Sequence, residues 1–132
     1  MKQVTIVDCG AGNLHSVEKS FRRVAENTGH NVIVTRDAAM LERTSAIVLP
    51  GVGAFAGCMR GLLQLGGMRD ALEHHVLQRH IPFLGICVGM QMLFERSFEH
   101  GEHAGLGWLK GDIVPITPRS AAQKIPHMGW ND

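Results

Sequence analysis

The sequence predicts an α/β fold with a doubly wound, mostly parallel sheet. Three features of the chain lead to this class: short runs of β-branched and aliphatic residues, helical stretches between those runs, and glycine-rich turns where the runs end. The runs are continuously apolar, which is typical of strands that are buried on both faces and connected by helices. The 132 residues contain no repeat or linker and are expected to form a single domain over 1–132.

The first part of the chain alternates predicted strands and helices. A strand at 4–7 ends at Asp8, and a helix at 14–26 follows with apolar residues spaced three and four apart. Asn13 is the expected N-cap of this helix. The next predicted elements are a strand at 31–35, a short helix at 38–43, a strand at 46–49 and a glycine-containing helix at 54–65.

The second part has a less regular pattern towards its end. Its predicted elements are a helix at 68–79, a strand at 81–86, a helix over 88–98, short strands at 105–109 and 112–116, and an aperiodic end from 124. Ligands of doubly wound sheets bind beyond the carboxyl ends of the strands. The loops at 8–13, 50–55 and 85–91 are therefore the expected location of a functional site.

Charge and cysteine content exclude several classes of function. A net charge of +1 with no local basic stripe argues against nucleic-acid binding. Three cysteines without a CxxC pair argue against a disulfide framework or structural zinc, and no metal or cofactor is expected. The longest apolar run, 81–90, is about half of a membrane helix, and Asp8 interrupts any signal peptide. A cytoplasmic protein without membrane contact is expected.

The strongest candidate for chemistry is Cys87, in the segment Gly85-Ile86-Cys87-Val88-Gly89 between a predicted strand and a predicted helix. A nucleophile at such a corner takes strained backbone angles, and small residues two positions before and after it let the chain pass itself. A helix N-terminus also favours the thiolate, which is the reactive form. The alternative is a buried cysteine that acts as a small hydrophobic residue, the interpretation preferred for Cys9 and Cys58.

A glycine-rich loop, Pro50-Gly51-Val52-Gly53-Ala54-Phe55, ends the preceding strand. If the two strands are neighbours, this loop faces Cys87, and its uncovered N–H groups can form an oxyanion hole together with that of Val88. The alternative is a simple Pro-Gly turn. A further motif, Gly10-x-Gly12, lacks the third glycine of a dinucleotide fingerprint, so a tight strand-to-helix turn is favoured there.

A cysteine nucleophile usually needs a general base, and the eight histidines offer no convincing one. His100 follows the far end of the predicted 88–98 helix, which would separate it from Cys87 by about 15 Å. The histidines expected at the opposite end of the strand leading to Cys87 are His74, His75 and His80. His15 and His127 remain geometrically possible, although neither has an acidic neighbour to orient it.

Several segments resemble the class I, triad-type glutamine amidotransferases. Residues 82–91 resemble their nucleophile segment, and residues 50–55 resemble their oxyanion strand. Residues 8–17, 105–111 and 126–131 are similar to the glutaminase subunit of imidazole glycerol phosphate synthase, an enzyme of histidine biosynthesis. The match runs the length of the chain and implies the flavodoxin-like sheet of that family.

The resemblance implies that the chain hydrolyses glutamine through a cysteine thioester and passes ammonia to a partner. It implies that Cys87 is the nucleophile and that N–H groups of Val52, Gly53 and Val88 form the oxyanion hole. The implied substrate-binding residues are Gly51, Gly53 and Gln91. The implied partner is a (β/α)8-barrel cyclase subunit in a heterodimer, and the residues implied at that interface are His127, Met128, Gly129, Trp130 and Asn131.

The chain departs from this family at its end. The family carries its catalytic His and Glu as an H-x-E pair in a C-terminal segment, and this chain stops at Asp132 before any such segment. His100-Gly101-Glu102 has the same spacing but follows the far end of the predicted 88–98 helix. We therefore expect a domain without its C-terminal third, explained by truncation, by completion from another chain or by loss of catalysis. We expect the chain alone to lack useful glutaminase activity and to self-associate through an uncovered sheet edge. Two other functions stay open: a non-catalytic interaction fragment and a cysteine hydrolase of the same fold.

Overall fold

The computed structural model describes residues 2–10 and 12–130. Its strands are β1 (Lys2–Val7), β2 (His30–Thr35), β3 (Ala46–Gly51), β4 (Phe83–Cys87), β5 (Phe94–Ser97), β6 (His103–Ala104) and β7 (Leu109–Ile113). Its α-helices are α1 (Leu14–Ala25), α2 (Phe55–Leu63), α3 (Met68–Leu72) and α4 (Val88–Gln91). A 3₁₀ helix at Ala38–Arg43 and a π-helical turn at Glu73–Gln78 complete the described elements.

The main sheet contains four strands in the order β2-β1-β3-β4, and all of its pairs are parallel. Alternate strand residues face opposite sides, so Ile6 and Val48 pack with α1, whereas Ile47 and Leu49 pack with α2 and α3. Helices therefore cover both faces of a parallel sheet. The predicted α/β, doubly wound fold class is confirmed for the described residues.

The larger core lies between the sheet and the layer formed by α2 and α3. Its fully buried side chains include Phe55, Leu62, Met68 and Leu72, each with no exposed surface. Burial of one such side chain stabilises the fold by about 1.5–3 kcal/mol. This packing brings α2 into contact with α4, the helix that begins directly after β4, next to the candidate site.

The helix predicted over 88–98 is wrong beyond its first turn. Helix α4 ends at Gln91, and β5 follows as the central strand of a second, three-stranded sheet. The reason is non-local: the N–H groups of Gly105 and Gly107 bond to the carbonyls of Glu95 and Phe94 at 2.9 and 3.1 Å. Those carbonyls are consequently not available for the i→i−4 bonds of a longer helix.

Other sequence expectations are corrected in detail. The predicted strands at 105–109 and 112–116 are replaced by the single strand β7 across their junction. The predicted helix at 68–79 continues as a π-helical turn after α3. Asn13 does precede α1, but it adopts a left-handed conformation with φ of 65° and its side chain forms no cap. The apolar residues that predict α1, spaced three and four apart, are Leu14, Val17, Phe21 and Val24, and the last of them is 74% exposed.

No helix among residues 2–10 and 12–130 is long and apolar enough to cross a membrane. The longest described helix, α1, has 12 residues, well short of the roughly 20 that a bilayer requires.

Candidate active site

The candidate site lies at the carboxyl ends of two adjacent parallel strands. β3 and β4 pair in register from Ile47 opposite Phe83 to Gly51 opposite Cys87. Loop 50–55 is expected to face Cys87 only if these two strands are neighbours. That condition is met, and the loop begins directly beside the cysteine.

The backbone at Cys87 forms a sharp strand-to-helix corner. Cys87 has φ of 55° and ψ of −119°, and α4 begins at the next residue. A positive φ is unfavourable for a residue with a Cβ and costs of the order of 1–3 kcal/mol. Such strain persists only where surrounding structure enforces it, and it is expected at a raised nucleophile.

Two flanking glycines explain how the chain makes this corner. A Cβ on Gly85 would lie 2.7 Å from the Cα of Met90 and 2.8 Å from the carbonyl oxygen of Gly89. A Cβ on Gly89 would collide with the carbonyl oxygen of Leu49 on the neighbouring strand. The predicted need for small residues on both sides of Cys87 is thus confirmed as a packing requirement.

The three cysteines differ in accessibility. Cys87 is exposed, whereas Cys9 and Cys58 are buried at 3% and 4% exposure. The preference for Cys9 and Cys58 as buried residues is confirmed. For Cys87 the alternative of a buried hydrophobic cysteine is wrong, because its side chain reaches solvent at the corner.

The electrostatic contribution expected from the helix after Cys87 is reduced. The expectation assumed a long helix over 88–98, but α4 has only four residues. The dipole of a single turn is small compared with that of an extended helix, since aligned peptide units add along the axis. Access and backbone geometry, more than a helix dipole, distinguish this thiol.

The glycine loop is held at its first half and open at its second. A Cβ on Gly51 would lie 2.7 Å from the nitrogen of Gly89, so the loop packs directly on the corner. Gly53 has φ of 97° and nothing within 4 Å of a Cβ position, and the side chain of Val52 is 49% exposed. Gly51 is thus held by packing, whereas Gly53 has wide conformational freedom.

The two buried cysteines both contact this loop through its carbonyl groups. The Cys9 thiol lies 3.7 Å from the carbonyl oxygen of Pro50, and the Cys58 thiol lies 3.4 Å from that of Val52. Burial raises the pKa of the Cys58 thiol, and the neighbouring Cys9, Cys87 and Glu99 raise it further, against the lowering effect of Val52. Three cysteines distant in sequence therefore gather around residues 50–52, which their spacing did not reveal.

Glu99 also lies in this region, although no sequence pattern predicted it there. Its Oε1 atom accepts the hydrogen bond of the Phe55 N–H at 3.1 Å and so satisfies a free donor at the start of α2. The carboxylate also contributes to the raised pKa of Cys58, which places a negative charge near the thiols. No local pattern could indicate this contact, because the two residues are 44 positions apart.

Comparison with known proteins identifies the family. The sequence model described as glutamine amidotransferase class-I matches residues 5–132. The chain belongs to this family. A solved structure described as a glutamine amidotransferase shares its fold, with a TM-score of 0.66 at 20% identity over 83% of this chain and 54% of that one.

Several curated relatives carry the name imidazole glycerol phosphate synthase subunit HisH. The protein from Ruegeria pomeroyi is 52% identical over 96% of this chain and 60% of its own length. The protein from Rhodospirillum rubrum is 49% identical over 98% of this chain and 61% of its own length. The protein from Zymomonas mobilis is 46% identical over 97% of this chain and 60% of its own length. The chain thus spans about three-fifths of the length of these amidotransferase relatives.

The histidines of this amidotransferase chain do not complete the site among the described residues. Within 2–10 and 12–130, no histidine forms a hydrogen bond with the Cys87 thiol. His75 lies near the opposite end of β4, as expected, because its carbonyl accepts the Ile81 N–H at 2.9 Å. The separation inferred for His100 is wrong in its premise, since no helix spans 88–98.

Gln91 and the first glycine loop also lie in this region of the amidotransferase fold. The Oε1 atom of Gln91 is buried and has no hydrogen-bond partner among the described residues. Gly10 and Gly12 line a cleft of about 250 Å³ with Val52 and Cys58. The Gly10 N–H donates to the Asp8 carboxylate at 2.9 Å, which supports the turn favoured for this motif.

The segment expected at a partner interface is exposed where it is described. Met128 and Trp130 are 86% and 99% exposed, and His127 and Gly129 are exposed as well. Asn131 lies outside the described residues. Bare aromatic and thioether side chains are common in protein interfaces, but exposure alone does not identify what they bind.

Proposed function

We propose that the chain is a glutaminase unit that hydrolyses glutamine through a thioester on Cys87 and supplies ammonia for imidazole glycerol phosphate synthesis. The observation that carries the proposal is the exposed Cys87 at a strained corner, directly opposite Gly51 of the glycine loop. The family description supports glutamine as the substrate, and the names of the relatives support a role in imidazole glycerol phosphate synthesis. The reaction needs no metal or redox group.

In the proposed reaction the Cys87 thiolate attacks the side-chain amide carbon of glutamine. The negative charge that develops on the carbonyl oxygen is stabilised by main-chain N–H groups of Val52, Gly53 and Val88. Protonation of the amide nitrogen lets ammonia leave, and a thioester remains. Water then adds to the thioester, the C–S bond breaks, and glutamate is released with the free thiol.

Substrate binding is assigned to residues around the corner. Gly51 ends β3 beside Cys87, and Gly53 has open space at its Cβ position, which favours close contact of the substrate with the main chain. Gln91 offers a buried amide oxygen that is unpaired among the described residues and suits a donor of the substrate. An N–H donor on glutamine would satisfy that oxygen on binding.

We propose that the proton-transfer group comes from outside the described residues. Within residues 2–10 and 12–130, no histidine is hydrogen-bonded to Cys87. General-base catalysis typically raises the reaction rate by a factor of about 10²–10⁴. The isolated chain is therefore expected to form a covalent adduct readily but to turn over glutamine slowly. A barrel-shaped cyclase subunit is the proposed partner, with the exposed segment 127–131 at the contact.

A chloroketone analogue of glutamine, with a chloromethyl ketone in place of the side-chain amide, tests the proposal. We expect mass spectrometry to find one adduct on Cys87 and protection of that residue by excess glutamine. Cys87→Ala should abolish the adduct, and Cys9→Ala is the matched control. Labelling that glutamine does not slow would contradict a glutamine site.

The non-catalytic alternative rests on two observations: no histidine of the described residues bonds to Cys87, and the Trp130 side chain is exposed. Under it, the chain binds a cyclase subunit through segment 127–131 but forms no adduct. Trp130→Ala would then abolish binding to the cyclase subunit, which is the chain's function under this alternative. Selective, glutamine-sensitive labelling of Cys87 excludes this alternative, and a cysteine hydrolase of other specificity would be labelled without protection by glutamine.

A further inference from the structure

A side chain that the proposed reaction does not use bonds to the Val52 carbonyl in the glycine loop. The Cys58 thiol donates to the carbonyl oxygen of Val52 at 3.4 Å. Cys58 lies in the first turn of α2, where its own N–H bonds to the Ala54 carbonyl at 3.1 Å. The thiol is therefore fixed by the helix while it reaches back to the loop in front of that helix.

Helix α2, which carries the Cys58 thiol, is held in place at its first residue. Phe55, the first residue of α2, is fully buried, and its N–H is held by the Glu99 carboxylate at 3.1 Å. At the other end, Gly51 packs against the nitrogen of Gly89. The peptide between Val52 and Gly53 thus lies between two fixed points, and the Cys58 contact acts on it directly.

The direction of one carbonyl fixes the direction of the next N–H. In a trans peptide the C=O of one residue and the N–H of the next point in opposite directions. A Val52 carbonyl bonded to Cys58 therefore sets the direction of the Gly53 N–H. Gly53 itself provides little restraint, because it has φ of 97° with open space around it, and the Val52 side chain is half exposed.

We propose that Cys58 is a positioning residue of the glutaminase site, whose thiol orients the Val52–Gly53 peptide for stabilisation of the oxyanion. The inference rests on the proposed function. It replaces the interpretation of Cys58 as only a small buried hydrophobic residue. Cys58 does not touch the reacting atoms; it acts through the direction of the Gly53 N–H.

Two reagents that attack the same sulfur separate this role from packing. Labelling of Cys87 by the chloroketone analogue of glutamine develops charge on a carbonyl oxygen, whereas alkylation by iodoacetamide does not. Both rates are measured at Cys87 by peptide mapping, in the full 132-residue chain. Their ratio reports the oxyanion site and is insensitive to a general change in thiol access.

We expect Cys58→Ala to lower the chloroketone rate roughly threefold to tenfold, the value of one hydrogen bond, with the iodoacetamide rate unchanged. Cys58→Ser, which keeps a donor, should restore most of the ratio. Cys9→Ala, which removes the other buried thiol, should leave the ratio as in the original chain. If Cys58→Ala does not fold, the shape-matched pair Cys58→Val and Cys58→Thr replaces the first two variants.

An unchanged ratio in Cys58→Ala, or a serine variant as slow as the alanine variant, would overturn the inference. The failure of the proposed function has a different signature. In that case the chloroketone labels Cys87 of the original chain no faster than a chloromethyl ketone without the glutamine portion does. Excess glutamine then gives no protection.

Discussion

Gly51 lies directly opposite Cys87 in the last register pair of β3 and β4. A Cβ on Gly51 would come within 2.7 Å of the Gly89 nitrogen, so the end of one strand packs against the turn that follows the other. The strained corner is therefore in direct contact with the first residue of the glycine loop that follows Pro50. The turn of the candidate nucleophile and the start of the candidate oxyanion loop therefore pack against each other.

This packing predicts that Gly89→Ala destabilises the fold and reduces labelling of Cys87. The added Cβ would collide with the Leu49 carbonyl, which belongs to the backbone of β3 and has no side-chain rotamer to relieve the contact. We expect a loss of about 2–3 kcal/mol in the free energy of unfolding, measured by urea denaturation.

The matched control is Gly57→Ala, in the first turn of α2. Nothing lies within 4 Å of its Cβ position, and its φ is not positive. Alanine is favoured over glycine in a helix, so the control should gain about 0.5–1 kcal/mol. Equal effects of the two substitutions would show that the corner does not depend on Gly89.

The elements before Cys87 could be predicted because their causes are local. Strands β1 to β4 follow short apolar runs, and the turns after them contain glycine, so periodicity alone locates them within a few residues. The corner was predicted for the same reason. Its requirement for Gly85 and Gly89 follows from the local crossing of the chain over itself.

The segment after Gln91 could not be predicted, because distant residues determine it. The Leu106 N–H bonds to the Met92 carbonyl at 2.7 Å, and the Leu109 N–H bonds to the Leu93 carbonyl at 2.9 Å. Sequence periodicity reports local spacing only and does not indicate such distant partners. The apolar residues at 92–94 are therefore predicted as part of a helix. Glu99 and the grouping of the cysteines were missed for the same reason.

A second prediction concerns pH. Burial lowers the pKa of His75, Arg79 and His74 lower it further, and Glu42 opposes them. Nδ1 of the ring lies 3.1 Å from the Arg79 guanidinium and Nε2 lies 3.8 Å from Glu42. Below about pH 6.5 the unfolded chain binds a proton that the folded chain does not, so stability falls as pH falls.

We expect His75→Gln to flatten this pH dependence between about pH 6.5 and the lower pKa of the folded state. Glu42→Gln should have the opposite effect, since removal of the carboxylate lowers the pKa of His75 further and extends the loss to lower pH. Thermal unfolding at several pH values measures both. An unchanged slope in His75→Gln would assign the acid sensitivity to other groups.

A third prediction concerns the order in which the thiols react. Cys87 is exposed, whereas Cys58 is buried and its pKa is raised, so little of Cys58 is thiolate at neutral pH. Iodoacetamide should therefore modify Cys87 first, with Cys58 protected until the chain unfolds. Peptide mapping over time checks this order, and urea provides the control. Faster modification of Cys58 in the folded chain would contradict its described burial.

The last prediction concerns the edge of the main sheet. β4 is the terminal strand in the described order, and Leu84 at its centre is 50% exposed. An open parallel edge offers unpaired N–H and C=O groups, and an apolar side chain beside them favours pairing with another copy. We therefore expect concentration-dependent association of the chain in sedimentation velocity experiments. Leu84→Lys should shift it towards monomer by placing a charge on the edge.

Val24→Lys is the matched control, because Val24 is also exposed but lies on α1 rather than on the sheet edge. It should leave the association unchanged. A shift caused equally by both substitutions would indicate a general effect of added charge. A single monomeric species over a wide concentration range would show that the edge of β4 is not an association surface.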